Sequence, residues 1–93
     1  MGRDKVATRE LRLSNRLGMH ARPASLFVQT ACKFSCEISV VKDKQTIDGK
    51  SILGLLMLAA GPGTVLKIST RGQDATEALD ALEQLVAGKF RED

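Results

Sequence analysis

Apolar and polar residues change their spacing several times along this chain, and each change marks the border of an element. Glu10-Leu11-Arg12-Leu13-Ser14 alternates polar with apolar, the pattern of a half-buried strand, and runs into the loop Asn15-Arg16-Leu17-Gly18-Met19. Beyond His20, the residues Ala24, Phe27, Val28 and Ala31 recur at i, i+3, i+4 and i+7. That spacing predicts an amphipathic helix, with Pro23 in the first turn, where its missing N–H costs nothing. Leu26 falls on the opposite face. Cys36, Ile38 and Val40 alternate with Glu37 and Ser39, and after Asp43-Lys44 the segment Gln45-Thr46-Ile47-Asp48 returns as the second arm of a hairpin.

Ser51 stands where an N-cap belongs, ahead of a helix expected over Ile52 to Ala60. Its residues Ile52, Leu53, Leu55, Leu56, Met57 and Leu58 are apolar all round, whereas a short helix on a small domain hides only one side. Leu55, Met57 and Leu58 are expected in the core, leaving others of the set exposed. Gly61-Pro62-Gly63 ends that helix, and Leu66 and Ile68 alternating with Lys67 and Ser69 predict a fourth strand. Asp74 followed by Glu77 resembles a capping box, and Ala75, Ala78, Leu79, Leu82, Leu85 and Val86 form the cleanest helical stripe, closed by Gly88.

The order is β-α-β-β-α-β-α, which predicts an α+β fold: a two-layer, open-faced β-sandwich whose four-stranded antiparallel sheet carries three helices on one face. At 93 residues, 43% hydrophobic and 27% charged, residues 1–93 make one domain, with 1–5 and 89–93 polar enough to be frayed ends. No apolar run approaches the roughly 20 residues of a membrane-spanning helix, and the first residues lack a signal-peptide pattern, so a cytoplasmic location and no membrane partner are expected. Net charge is +3, but the basic residues are scattered and aromatics make up 3%. A stacking platform for nucleic acid is therefore not expected. Cys32 and Cys36 are too few for a disulfide framework or a closed zinc site and read as buried or half-buried apolar residues, with no metal and no cofactor expected. The glycines match neither a P-loop nor a dinucleotide fingerprint.

The one histidine, His20, lies where a glycine-containing loop meets a helix start. Unsatisfied amides and the positive end of the helix dipole make such a place hospitable to a phosphoryl group, and Arg22 can add a charge-assisted bond to its oxygens. Read without a partner, the same residues are a surface histidine and a solvated arginine.

Leu17-Gly18-Met19-His20-Ala21-Arg22-Pro23-Ala24 resembles the active-site signature of the HPr family, the histidine-containing phosphocarriers of the phosphoenolpyruvate-dependent sugar phosphotransferase system. Lys50-Ser51-Ile52-Leu53-Gly54 resembles the family's regulatory-serine segment, and the element order is the family's. The resemblance covers nearly the whole chain. It implies that His20 takes a phosphoryl group on Nδ1 from Enzyme I and passes it to Enzyme IIA domains, with Arg22 neutralising charge on the phosphoryl oxygens, so that the chain is a carrier rather than an independent catalyst. It further implies a partner-binding surface on Ala21, Leu26, Ile52, Leu53 and Leu56, rimmed by Arg16, Arg22 and Lys50, and a chain acting as a monomer. Ser51 has two readings that do not exclude each other: a helix cap, and the serine modified by an HPr kinase/phosphorylase where one exists, with a transcriptional regulator as a further partner. Alternatives are the nitrogen-branch paralogue serving a regulatory phosphorelay, a binding module centred on Ser51, and an unrelated small α+β domain.

Overall fold

The computed structural model describes residues 5–91. The elements are β1 (Val6–Arg12), α1 (Ala21–Ala31), β2 (Glu37–Lys42), β3 (Gln45–Asp48), α2 (Ile52–Met57), β4 (Val65–Arg71) and α3 (Ala75–Ala87). The strands pair antiparallel in the order β1-β4-β2-β3. Alternation sends Leu11, Ile38, Val40, Leu66 and Ile68 to one face, where they are buried with Phe27 and Ala31 of α1, Leu55 of α2 and Leu79 and Leu82 of α3. The three helices share that face. The other face is polar, with the Thr8 and Ser69 hydroxyls 3.2 Å apart across β1 and β4.

Five sequence expectations are corrected. Strand β1 starts at Val6 rather than Glu10 because Arg9 breaks the alternation: in register with buried Ile68, it pairs with Asp80, at 2.7 Å, and Glu83 on α3. Helix α2 ends at Met57 rather than Ala60. Ala59 there turns to φ +51°, and Lys42 of β2 donates to the Leu58 carbonyl at 2.9 Å, satisfying an acceptor the helix leaves open. Asp74 does not cap α3. Its carboxylate accepts from the backbone N–H groups of Ser35, at 2.8 Å, and Cys36, at 3.0 Å, tying the start of β2 to the start of α3. Those bonds, the one from Ser35 first, hold the Asp74 carboxyl below its ordinary pKa.

The fourth correction concerns the chain's end. Residues 1–4 and 92–93, expected to fray, lie outside the described residues, but Lys89–Arg91 form a turn that buries the Phe90 ring to 1% exposure. Cys36 is buried, which pushes its thiol pKa up, whereas Cys32 is exposed and not the buried or half-buried residue expected. Among the described residues no helix is long and apolar enough to cross a membrane.

Candidate functional site

The loop before α1 is built before its histidine is placed. Gly18 adopts φ +69°, and a Cβ there would lie 2.4 Å from the Ala60 carbonyl oxygen, so only glycine fits. The next residue fastens the same contact, since the Met19 N–H donates to that carbonyl at 2.8 Å. The loop thus rests on the segment that leaves α2. His20 follows as the N-cap of α1 in extended conformation, φ −88° and ψ −168°, and its carbonyl accepts the Ala24 N–H at 3.0 Å.

The His20 side chain makes no capping hydrogen bond to the first turn of α1. The geometry of a helix start leaves the Ala21 and Arg22 amides without intrahelical acceptors, and Pro23 has no N–H. No acidic residue occupies that turn. His20 is half-buried and Ala21 and Arg22 are exposed. A nitrogen nucleophile, a positive helix end and a mobile-length cation therefore stand in three consecutive residues at the surface, an arrangement suited to taking and releasing a phosphoryl group. Among the described residues no three His, Cys, Asp or Glu side chains gather into a metal-binding group.

Helix α2 divides its apolar residues cleanly. Leu55 and Leu58 are buried, while Ile52, Leu53, Leu56 and Met57, at i, i+1, i+4 and i+5, form the outer face. Leu53 and Met57 are each 68% exposed, so Met57 belongs to the outer face and not, as expected, to the core. Leu17, 63% exposed in the loop before His20, is a further apolar surface residue that the motif reading passed over. Its signal was an isolated leucine in an otherwise polar turn. Leu26 is half-buried and packs against the core, leaving less of it for a partner. Arg16 is exposed. Lys50 is drawn inward: its ammonium donates to the Phe34 carbonyl at 2.7 Å, so it serves as a tie to the end of the α1 segment.

Ser51 caps α2, its Oγ accepting the Gly54 N–H at 3.0 Å. The preceding turn is set by Asp48, whose carboxylate accepts the Lys50 N–H at 2.9 Å and whose carbonyl accepts the Ser51 N–H at 3.0 Å. A groove of about 790 Å³ between β2, β3 and β4 is lined by Ile38, Ser39, Asp48, Ser69 and Arg71 among others and includes neither His20 nor Arg22. The candidate site lies apart from this groove, with His20 half-buried and Arg22 exposed.

Residues 7–88 match the family model described as the PTS HPr component phosphorylation site. The chain is 46% identical over 82 residues to phosphocarrier protein HPr of Neisseria meningitidis, covering 88% of this chain and 92% of that one. It is 41% identical over 88 residues to the HPr of Treponema pallidum, covering 95% and 100%. The crystal structure of HPr-C-His from Thermoanaerobacter tengcongensis superposes with a TM-score of 0.91 at 45% identity, covering 94% of this chain and 98% of that one. Crh of Bacillus subtilis, described as a domain-swapping dimer, gives 0.73 at 36% identity, with 87% and 93% covered.

Proposed function

The chain belongs to the HPr family of phosphocarrier proteins, and on that premise we propose that His20 is its phosphoacceptor, taking the group from phosphorylated Enzyme I and giving it to Enzyme IIA domains in the cytoplasm. The observation that carries this reading is the start of α1, where His20 is the cap residue yet its side chain makes no capping bond to the turn. In the forward step an imidazole nitrogen attacks phosphorus in line, the new P–N bond forming as the bond to the donor breaks. Release reverses the exchange on an acceptor. The Ala21 and Arg22 amides and the Arg22 guanidinium stabilise charge on the phosphoryl oxygens, and without a neighbouring carboxylate the turn offers no general base to activate water.

The outer face of α2, with Leu53 at its centre, is the partner surface. Exposed apolar groups on α2, on a surface that also exposes Arg16 and Arg22, suit an acidic-rimmed partner that must bind and leave quickly. A single chain presents this face complete, which supports a monomeric carrier. Ser51 is a second, regulatory position: a phosphate there replaces a hydroxyl that accepts one amide bond and adds negative charge beside the docking face.

Three intact-mass experiments test these assignments. With Enzyme I, phosphoenolpyruvate and Mg²⁺, the chain is expected to gain one acid-labile phosphoryl group that His20→Ala lacks; no gain in the unaltered chain overturns the carrier reading. Leu53→Glu is expected to slow the gain without unfolding, and an unchanged rate removes the docking face. An HPr kinase with ATP is expected to add an acid-stable group that Ser51→Ala lacks, and no such group rules out serine regulation.

A further inference from the structure

Two hydrogen bonds converge on the Gly18 carbonyl. The backbone N–H of His20 donates to it at 3.0 Å, and Nδ2 of Asn15 donates to it at 2.7 Å. Asn15 is completely buried, one of two polar side chains so placed among the described residues, the other being Thr70. An amide side chain away from water is tolerated only where it is hydrogen-bonded, so the bond to Gly18 is part of what holds Asn15 inside. The Gly18 N–H donates back to the Asn15 carbonyl at 3.4 Å, so backbone and side chain of one residue close the loop over residues 15–18.

The consequence falls on His20. Its N–H is fixed to a carbonyl that Asn15 holds from within, while Met19, between them, is fixed to Ala60. The direction of the His20 Cα–Cβ bond relative to the first turn of α1 follows from where that carbonyl stands. Phosphoryl transfer is sensitive to such placement, because the attacking nitrogen, phosphorus and leaving group must lie in line.

We propose that Asn15 is a positioning residue for phosphoryl transfer, acting through the Gly18 carbonyl to aim the His20 imidazole and the Ala21 and Arg22 amides at one phosphoryl group. The inference rests on the phosphocarrier reading of the preceding subsection. Asn15 is buried and works through the backbone.

The test measures kcat and KM separately for transfer from phosphorylated Enzyme I to the full chain, in Asn15→Ala and in Asn15→Asp, whose ionised carboxylate keeps the shape but cannot donate. In variants whose spectra show a folded chain, kcat is expected to fall roughly ten- to a hundredfold, with KM within about twofold. Hydrogen exchange at the His20 amide is expected to speed up while α3 stays protected. A folded variant with unchanged kcat, or losses of kcat that merely follow global stability, overturns the proposal. Should both variants unfold, scalar couplings across the hydrogen bonds from Asn15 Nδ2 and His20 N to the Gly18 carbonyl decide it in the unaltered chain. Both are expected to persist on phosphorylation, and loss of either overturns the proposal. An unaltered chain that accepts no phosphoryl group overturns the carrier reading and this inference with it; an active unaltered chain with equally active variants overturns the inference alone.

Discussion

Helices α1 and α2 both begin after a residue in extended conformation, His20 at φ −88° and Ser51 at φ −112°, but their first turns are finished differently. At α2 the cap hydroxyl accepts the Gly54 amide, so the turn is closed by its own side chain. At α1 the cap is an imidazole that makes no such bond, Pro23 leaves no N–H at the position matching Gly54, and no acidic residue occupies the turn. One start is closed by its own side chain; the other lacks that cap and is the place where the proposed function seats an incoming anion. The start of α3 shows that openness alone is not the signal. Asp74 also fails to cap, yet its carboxylate already supplies the negative charge there and spends it on Ser35 and Cys36.

The contrast is broken most completely by His20→Asp. A carboxylate at this position can accept the Arg22 amide, although Pro23 offers no N–H where Gly54 offers one to Ser51, so phosphoryl acceptance on a histidine is expected to vanish while stability rises by roughly 0.5–1 kcal/mol. Acid-labile labelling and urea unfolding check the two halves of that expectation. Gly18→Ala attacks the support of the open start: positive φ and the approach to Ala60 together are expected to cost roughly 2–4 kcal/mol in urea unfolding. A cost below about 1 kcal/mol would mean the loop is not locked to Ala60. Ser51→Ala removes the closed start and is expected to cost about 1 kcal/mol, with His20 acceptance within about twofold.

The smallest effect is a pH dependence at the third helix start. The Asp74 carboxyl has a depressed folded pKa, so its contribution is full above the unfolded carboxyl pKa of about 3.9 and is lost as pH falls through the folded value. Asp74→Asn is therefore expected to be less stable than the unaltered chain at pH 7, with the gap closing under acid. A gap that stays constant in urea titrations down to pH 2 would show that the carboxylate's charge plays no part in the tie.

Much of this was legible along the chain because alternation and helical spacing are local. The segment Gln45–Asp48 and the stripe of α3 were read at nearly their final limits. What escaped depends on partners far away in sequence. The bonds of Asp74 to Ser35 and Cys36 span 39 and 38 residues, and Arg9 reaches Glu83 across 74. Met57 was misplaced because an all-apolar helix does not say which side is covered; packing against the sheet and α1 decides that. His20, Arg22 and Ser51 are singled out in the sequence by their places at helix starts and by their motifs. Asn15 was not, since an asparagine in a loop reads as a turn residue and its burial becomes visible only in three dimensions.

The most direct test of the central claim, that the open start of α1 is where the phosphoryl group sits, is nuclear magnetic resonance of the ¹⁵N-labelled chain before and after phosphorylation by Enzyme I. The expected result is phosphorus coupling at Nδ1 of the chain's single histidine, downfield movement of the Ala21 and Arg22 amides, and a Gly54 amide that does not move. Phosphorus on any residue other than His20, or Ala21 and Arg22 amides that stay in place, would contradict it.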